Sequence, residues 1–144
     1  MRPLDNPTNF HPKIVAFCCN WCSYPAADAA GVGRMQYPAN IRVVRVMCGG
    51  RVSPSLVLKA LELGADGVVV ATCHYEDCHY RFGARRAHEN YQKLEKLTKI
   101  LGIEPKRLRL EWISAAEAPK FAKVMREFVE DIKRVGPSPV RRNE

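Results

Sequence analysis

A chain of 144 residues is long enough for one domain with a hydrophobic core of its own, so it does not need a metal merely to fold. Hydrophobic residues make up 47% of it and charged residues 26%. No apolar run approaches the roughly 20 residues needed to span a bilayer, and MRPLDNPTNFHPK has no signal-peptide core, so the expected compartment is the cytoplasm, with no membrane span. The formal charge of +8 suits an acidic partner surface. No nucleic-acid partner is expected, because much of the excess falls on helical segments with Glu interspersed and no zinc-finger, RNP or KH pattern accompanies it.

Residues 1–12 contain Pro3, Pro7 and Pro12 and read as an arm that orders only against a neighbour. Lys13 to Cys18 (KIVAFC) is a first buried strand, and Cys19 to Tyr24 (CNWCSY) is its exit loop. A helix is predicted from Pro25 onward, weakened by Gly31 and Gly33, where tight packing is expected. Ile41 to Met47 (IRVVRVM) is a second strand, running directly into Cys48-Gly49-Gly50-Arg51. Ser53 caps a helix whose first residue is Pro54 and which stops at Gly64; its near-continuous apolarity predicts cover on most sides.

Asp66 to Thr72 (DGVVVAT) is a third strand with Cys73 at its end. The loop CHYEDCHYRFG leads to a long helix over 84–101, in which Ala87, Tyr91, Leu94, Leu97 and Leu101 are spaced as one buried stripe. Arg107 to Trp112 (RLRLEW) is a fourth, more polar strand suited to a sheet edge. Ser114 and Glu117 have capping-box spacing, but Pro119 delays the regular helix to about Ala118. Phe121, Met125, Phe128 and Ile132 mark its inner face, and Gly136-Pro137 ends it.

Strands alternating with helices of this length predict a single α/β domain over 13–136, with a C-terminal tail over 137–144. The expected fold is a flavodoxin-like, doubly wound parallel sheet with helices on both faces and strand order 2-1-3-4. All strands of a parallel sheet end at one edge, where ligands collect. Cys18, Cys19 and Cys22 follow or end the first strand, Cys48 follows the second, and Cys73 and Cys78 follow the third. Six scattered thiols therefore become a candidate four-ligand cage.

Four thiolates suit an iron-sulfur cluster or a zinc ion. An iron-sulfur centre fits best, because the scaffold is large enough to stand unaided and the ligands sit on loops over a rigid sheet edge. A zinc-stabilised interaction module remains open, as do buried cysteines without a ligand. A thioredoxin-like dithiol is a further alternative, using Cys19 and Cys22 in Cys19-Asn20-Trp21-Cys22, but it leaves Cys48, Cys73 and Cys78 without a role. His74 and His79 are candidates for supporting hydrogen bonds or direct ligation, and His11 and His88 carry no signal. Trp21, Tyr24, Tyr75 and Tyr80 either shield the site, form a partner surface or pack in the core; Arg34, Arg51, Arg81, Arg85 and Arg86 offset thiolate charge or meet an acidic partner. No phosphate-binding glycine motif, triad or paired-carboxylate system is present, so no independent catalytic site is expected.

FCCNWCSY (residues 17–24), IRVVRVMCGGRVSPSLVLKALELGADGVVVATCHYEDCHYRFG (41–83) and WISAAEAPKFA (112–122) resemble the small iron-sulfur delta chain of the methyl-viologen-reducing, coenzyme-F420-non-reducing nickel-iron hydrogenase of methanogenic archaea. Similar domains are fused to the flavin-containing A-subunit of heterodisulfide reductase. The resemblance runs from Lys13 to Val135 and rests on three separated cysteine blocks that agree in order and spacing. It implies a 2Fe-2S cluster that relays electrons from a hydrogenase, or in some organisms a formate dehydrogenase, to that flavin-containing component of heterodisulfide reductase during methanogenesis. The assembly divides electrons between a heterodisulfide and ferredoxin. The family cysteines fall on Cys19, Cys22, Cys48, Cys73 and Cys78, five thiolates for four places, with Cys18 set aside as a variable neighbour. Many relatives have Gly where this chain has Thr72, and Gly-Asn where it has Gly83-Ala84, which bears on the loop path and partner contacts.

Overall fold

A computed structural model describes residues 10–78 and 82–140. The arm over 1–9, the tail over 141–144, and His79, Tyr80 and Arg81 lie outside the described residues. The β-branched runs form four strands, β1 (Ile14–Cys19), β2 (Ile41–Val46), β3 (Gly67–Thr72) and β4 (Leu108–Trp112). All pair in parallel in the order β2-β1-β3-β4, which is the expected one. The intervening helices are α1 (Ser23–Val32), α2 (Pro54–Glu62), α3 (Gly83–Leu101) and α4 (Ala118–Val135). Among the described residues, no helix is long and apolar enough to cross a membrane.

Strand alternation divides the core into two layers. Ile14, Ala16, Cys18, Val69 and Ala71 face α1 and α4, where Phe121, Met125, Phe128 and Ile132 present the predicted inner stripe. Phe17, Val68 and Val70 face α2 and α3 and meet Val57, Leu61 and Leu94. β3 lies between β1 and β4 and is buried at every position, whereas β4 is only half-buried beyond Leu108. Phe10 packs against the layer holding α1 and α4.

Several local expectations are corrected. α1 begins at Ser23, two residues before Pro25, because Ser23 is itself an anchor: its hydroxyl donates to the Ala71 carbonyl at 2.7 Å and accepts from the Cys19 N–H at 2.7 Å. Close packing of this helix comes from Ala26, Ala27 and Ala30, while Gly31 faces open space. In α2 the Ser53 hydroxyl caps the Leu56 N–H as predicted, yet only Val57 and Leu61 are buried and Leu56 is exposed. Glu117 accepts from the Ser114 N–H at 2.9 Å, forming half of the predicted box in the turn that precedes α4.

Gly67 marks the closest approach of sheet and helix. A Cβ there would lie 2.9 Å from both Ile132 and Phe128, two of the largest fully buried side chains. Gly67→Ala is therefore expected to destabilise the protein by about 1–3 kcal/mol through overpacking, read by chemical denaturation. A cost below about 0.5 kcal/mol would mean that α4 yields without loss.

Candidate metal centre

Three strands end at one sheet edge and deliver their cysteines there. β1 ends on Cys19, and the turn that follows brings Cys22 back over it, held by the Cys22 N–H donating to the Cys19 carbonyl at 3.3 Å. Ser23 locks this turn to β3 through its bonds to Cys19 and Ala71. β3 then delivers Cys73, whose sulfur lies 2.7 Å from Cys22 Sγ and 3.7 Å from Cys19 Sγ. The three sulfurs lie within 4.8 Å of one another and all three residues are buried, forming a cysteine-based metal-binding site.

Cys48 and Cys78 approach from the side of α3. Cys48 opens a single 3-10 turn, Gly49–Arg51, and its sulfur accepts from the Gly50 N–H at 3.4 Å. Cys78 packs against the three buried cysteines. Both sulfurs bracket Gly83, the first residue of α3: a Cβ at that position would overlap Cys48 Sγ and sit 3.1 Å from Cys78 Sγ. The positive end of a 19-residue helix thus lies beside two of the candidate thiolates, which favours their negative charge.

Cys18 is separated from this group by the pleat of its strand. It points into the layer of α1 and α4, fully buried among apolar residues, and desolvation pushes its thiol up to about 12, with the nearby Ser23 hydroxyl opposing the rise.

The electrostatics within the group fit a shared-ligand site. Cys19 is held well below the ordinary thiol range because the Cys22 and Cys73 thiols donate to it, supported by the N–H groups of Trp21 and Gly49. Cys73 is pushed up to about 12 and Cys22 is raised as well, chiefly because each shares its proton with neighbouring sulfurs. Burial raises Cys48, opposed by the Gly50 N–H. A cation at this place would take over the role of the shared protons. The donors in the three-sulfur group are thiols alone, with no carboxylate or imidazole among them, and backbone N–H groups point at the sulfurs; that chemistry fits an iron-sulfur centre.

The family model described as methyl-viologen-reducing hydrogenase, delta subunit, matches residues 14–136. The chain belongs to that family. The iron-sulfur D-subunit of the F420-non-reducing hydrogenase vhc of Methanococcus voltae is 50% identical over 135 residues, covering 94% of each chain. The corresponding D-subunit of Archaeoglobus profundus is 52% identical over 128 residues, covering 89% of this chain and 93% of that one. A third relative is much larger: the A-subunit of the ferredoxin:CoB-CoM heterodisulfide reductase of Methanosarcina mazei is 49% identical over 126 residues, 88% of this chain but 16% of that protein.

Within this delta-subunit framework, the remaining candidates sort by position. His74 points away from direct ligation through Nε2, which lies 2.6 Å from Glu117 Oε1; that carboxylate is held down to about 2, first by the Ser114 N–H and then by His74. Trp21, Tyr24 and Tyr75 are exposed around the edge rather than packed in the core. Arg51 and Arg86 lie beside Cys48, whereas Arg34 follows α1, which runs back toward the opposite edge. Thr72 is buried against Gly49, so the departure at this position is accommodated by a glycine across the site. His88, without a signal in the sequence, lies 6.0 Å from Trp112 with the two rings tilted by 33°, and Trp112 also meets Tyr75 edge-on at 6.2 Å. Gly83 is the functional position that sequence reasoning missed. Its signal was the departure at Gly83-Ala84, where the glycine of the family pattern is kept.

Proposed function

We propose that the chain is an iron-sulfur electron-transfer protein that relays electrons from a hydrogenase, or a formate dehydrogenase, to the A-subunit of heterodisulfide reductase in the cytoplasm of a methanogen. The observation that carries this reading is the convergence of Cys19, Cys22, Cys48, Cys73 and Cys78 at one sheet edge. The relatives support it from two sides, since one set is named as hydrogenase iron-sulfur subunits and another as a component of heterodisulfide reductase. Four thiolates drawn from these five would hold a 2Fe-2S cluster, which supplies one-electron exchange when bound.

The chain's own residues then have distinct tasks. Ser23 fixes the β1 exit turn, the N–H groups of Trp21, Gly49 and Gly50 stabilise negative charge on sulfur, and Gly83 admits Cys48 and Cys78 to the same place. Hydrogen bonds to the sulfurs and burial both tune a reduction potential. The domain over 13–136 carries the centre, and the arm over 1–12 and the part of the 137–144 tail beyond the anchored Pro137 and Ser138 add partner contacts.

Anaerobic purification with iron and sulfide analysis, and electron paramagnetic resonance of the reduced protein, tests the assignment. About two irons and two sulfides per chain are expected. Stoichiometric zinc without iron would sink it. Cys22→Ser is expected to lower iron content at least roughly tenfold, whereas Cys18→Ala should keep the metal and lose about 1 kcal/mol of stability. Equal iron loss in both variants would contradict the separation of Cys18 from the site.

A further inference from the structure

We propose that the groove beside Cys48 is the surface on which an electron-transfer partner docks, and that it receives an acidic protein segment with an apolar tip. The inference rests on the electron-transfer reading above and names the place where that transfer leaves the molecule. Of the five candidate ligands, Cys19, Cys22 and Cys73 are buried, while Cys48 and Cys78 are only partly so. The centre therefore comes nearest to solvent on the Cys48 side. Tunnelling rates fall steeply with distance, so a partner that docks there gains most.

The groove at that point has a volume of about 360 Å³ and is lined by Met47, Cys48, Arg51, Phe82 and Arg86, together with Gly50 and Gly83. Its two large apolar side chains are held in water: Met47 is 53% exposed and Phe82 68%. Exposed apolar side chains flanking a concave site are the usual anchors of an interface. Among the described residues the lining contains no carboxylate, and neither the Arg51 nor the Arg86 guanidinium has an ion-pair or hydrogen-bond partner. Two unpaired guanidinium groups beside an apolar cleft fit carboxylates that flank a Leu- or Phe-like tip.

A larger groove, about 680 Å³, is less suited to this role. It is lined by Ile14, Asn40 and Gly64 and so opens at the edge where the strands begin, with the cysteines at the other end of the sheet. A partner seated there would lie a full strand length from the centre.

The test uses the complete chain, anaerobically loaded, added back to a hydrogenase–heterodisulfide reductase assembly from which this component has been removed. Hydrogen-driven electron transfer is followed against ionic strength for the wild type and for Arg51→Glu/Arg86→Glu. The double reversal should leave iron content and the reduced-state resonance spectrum unchanged, slow transfer at low salt by roughly tenfold or more, and weaken the fall in rate that added salt produces in the wild type. Arg51→Lys/Arg86→Lys should recover most of the rate, and Phe82→Ser should lower it at all salt concentrations. Lys96→Glu/Lys99→Glu, which makes the same change in net charge farther along α3, should leave it within about twofold.

An iron-loaded double reversal with the wild-type rate and salt dependence overturns the docking assignment alone, as does an equal loss in the Lys96 and Lys99 control. A wild-type chain that carries no iron overturns the electron-transfer reading itself. If the double reversal lowers iron content, Phe82→Ser decides: an unchanged rate in that variant counts against the groove.

Discussion

Gly83→Ala is expected to empty the metal site while the fold stands. The added methyl group would overlap Cys48 Sγ and come to 3.1 Å from Cys78 Sγ, well inside the roughly 3.5–4.0 Å at which nonbonded carbon atoms settle. Cys48 is the element that gives way, because its sulfur ends a short side chain on a half-buried loop and can rotate outward. Ligand geometry is less forgiving than packing, and iron and sulfide content should fall at least roughly tenfold. The helix itself does not lose, since alanine is favoured over glycine by about 1 kcal/mol in a helix interior and by less at the first residue, where Gly83 stands. Metal analysis paired with the thermal melting of the apoprotein separates these effects. A variant with wild-type iron and wild-type melting would show that Cys48 and Cys78 do not need this approach.

The arrangement behind that expectation was partly legible in the residues. Strands followed at once by cysteines in repeated β-α units leave little choice of topology, and a parallel sheet sends all their C-terminal ends to one edge. Cys73 therefore meets Cys22 although 51 residues separate them. Periodicity was less informative where tertiary packing overruled it. Leu97 and Leu101 carry helical spacing, yet they are 41% and 55% exposed, because in the last turns of α3 it is Thr98 that turns inward in their place. The chain reverses at Gly102, and Ile103, held by its N–H to the Thr98 carbonyl at 2.9 Å, enters the core that Leu101 would have filled.

Ser23 and Gly83 were obscure for a related reason. A serine after a C-x-x-C turn reads as a helix cap, and only the neighbouring strand shows that its hydroxyl bridges β1 to the Ala71 carbonyl. The glycine is defined by what it must not touch, and two sulfurs from distant segments are invisible to local spacing. Arg107 misled more directly. Its place in RLRLEW reads as a polar strand residue, but it closes the 3-10 turn Pro105–Arg107 and is completely buried.

Arg107→Ala should therefore cost about 3 kcal/mol or more, the largest stability loss expected from one surface-looking residue in the sequence. Its guanidinium donates to the carbonyls of Asp66 at 3.0 Å, Gly136 at 2.8 Å and Pro137 at 2.8 Å, and its Nε donates to Glu104. The Asp66 carboxylate extends the knot, accepting from the Lys13 N–H at 2.9 Å and the Ser138 N–H at 3.0 Å. Together these bonds tie the entry of β1, the entry of β3 and the exit of α4 at the edge opposite the cysteines. Alanine would leave buried carbonyls without donors, and water would reach them only by opening that end of the core. Lysine keeps the charge but cannot reproduce a planar fork that serves three carbonyls, so Arg107→Lys should recover less than half of the loss. Urea denaturation measures both variants. Iron per folded chain should stay at the wild-type level, since the knot and the metal centre sit at opposite ends of the strands. A cost below about 1 kcal/mol, or iron loss matching the stability loss, would contradict that division of the sheet into a stabilising edge and a functional one.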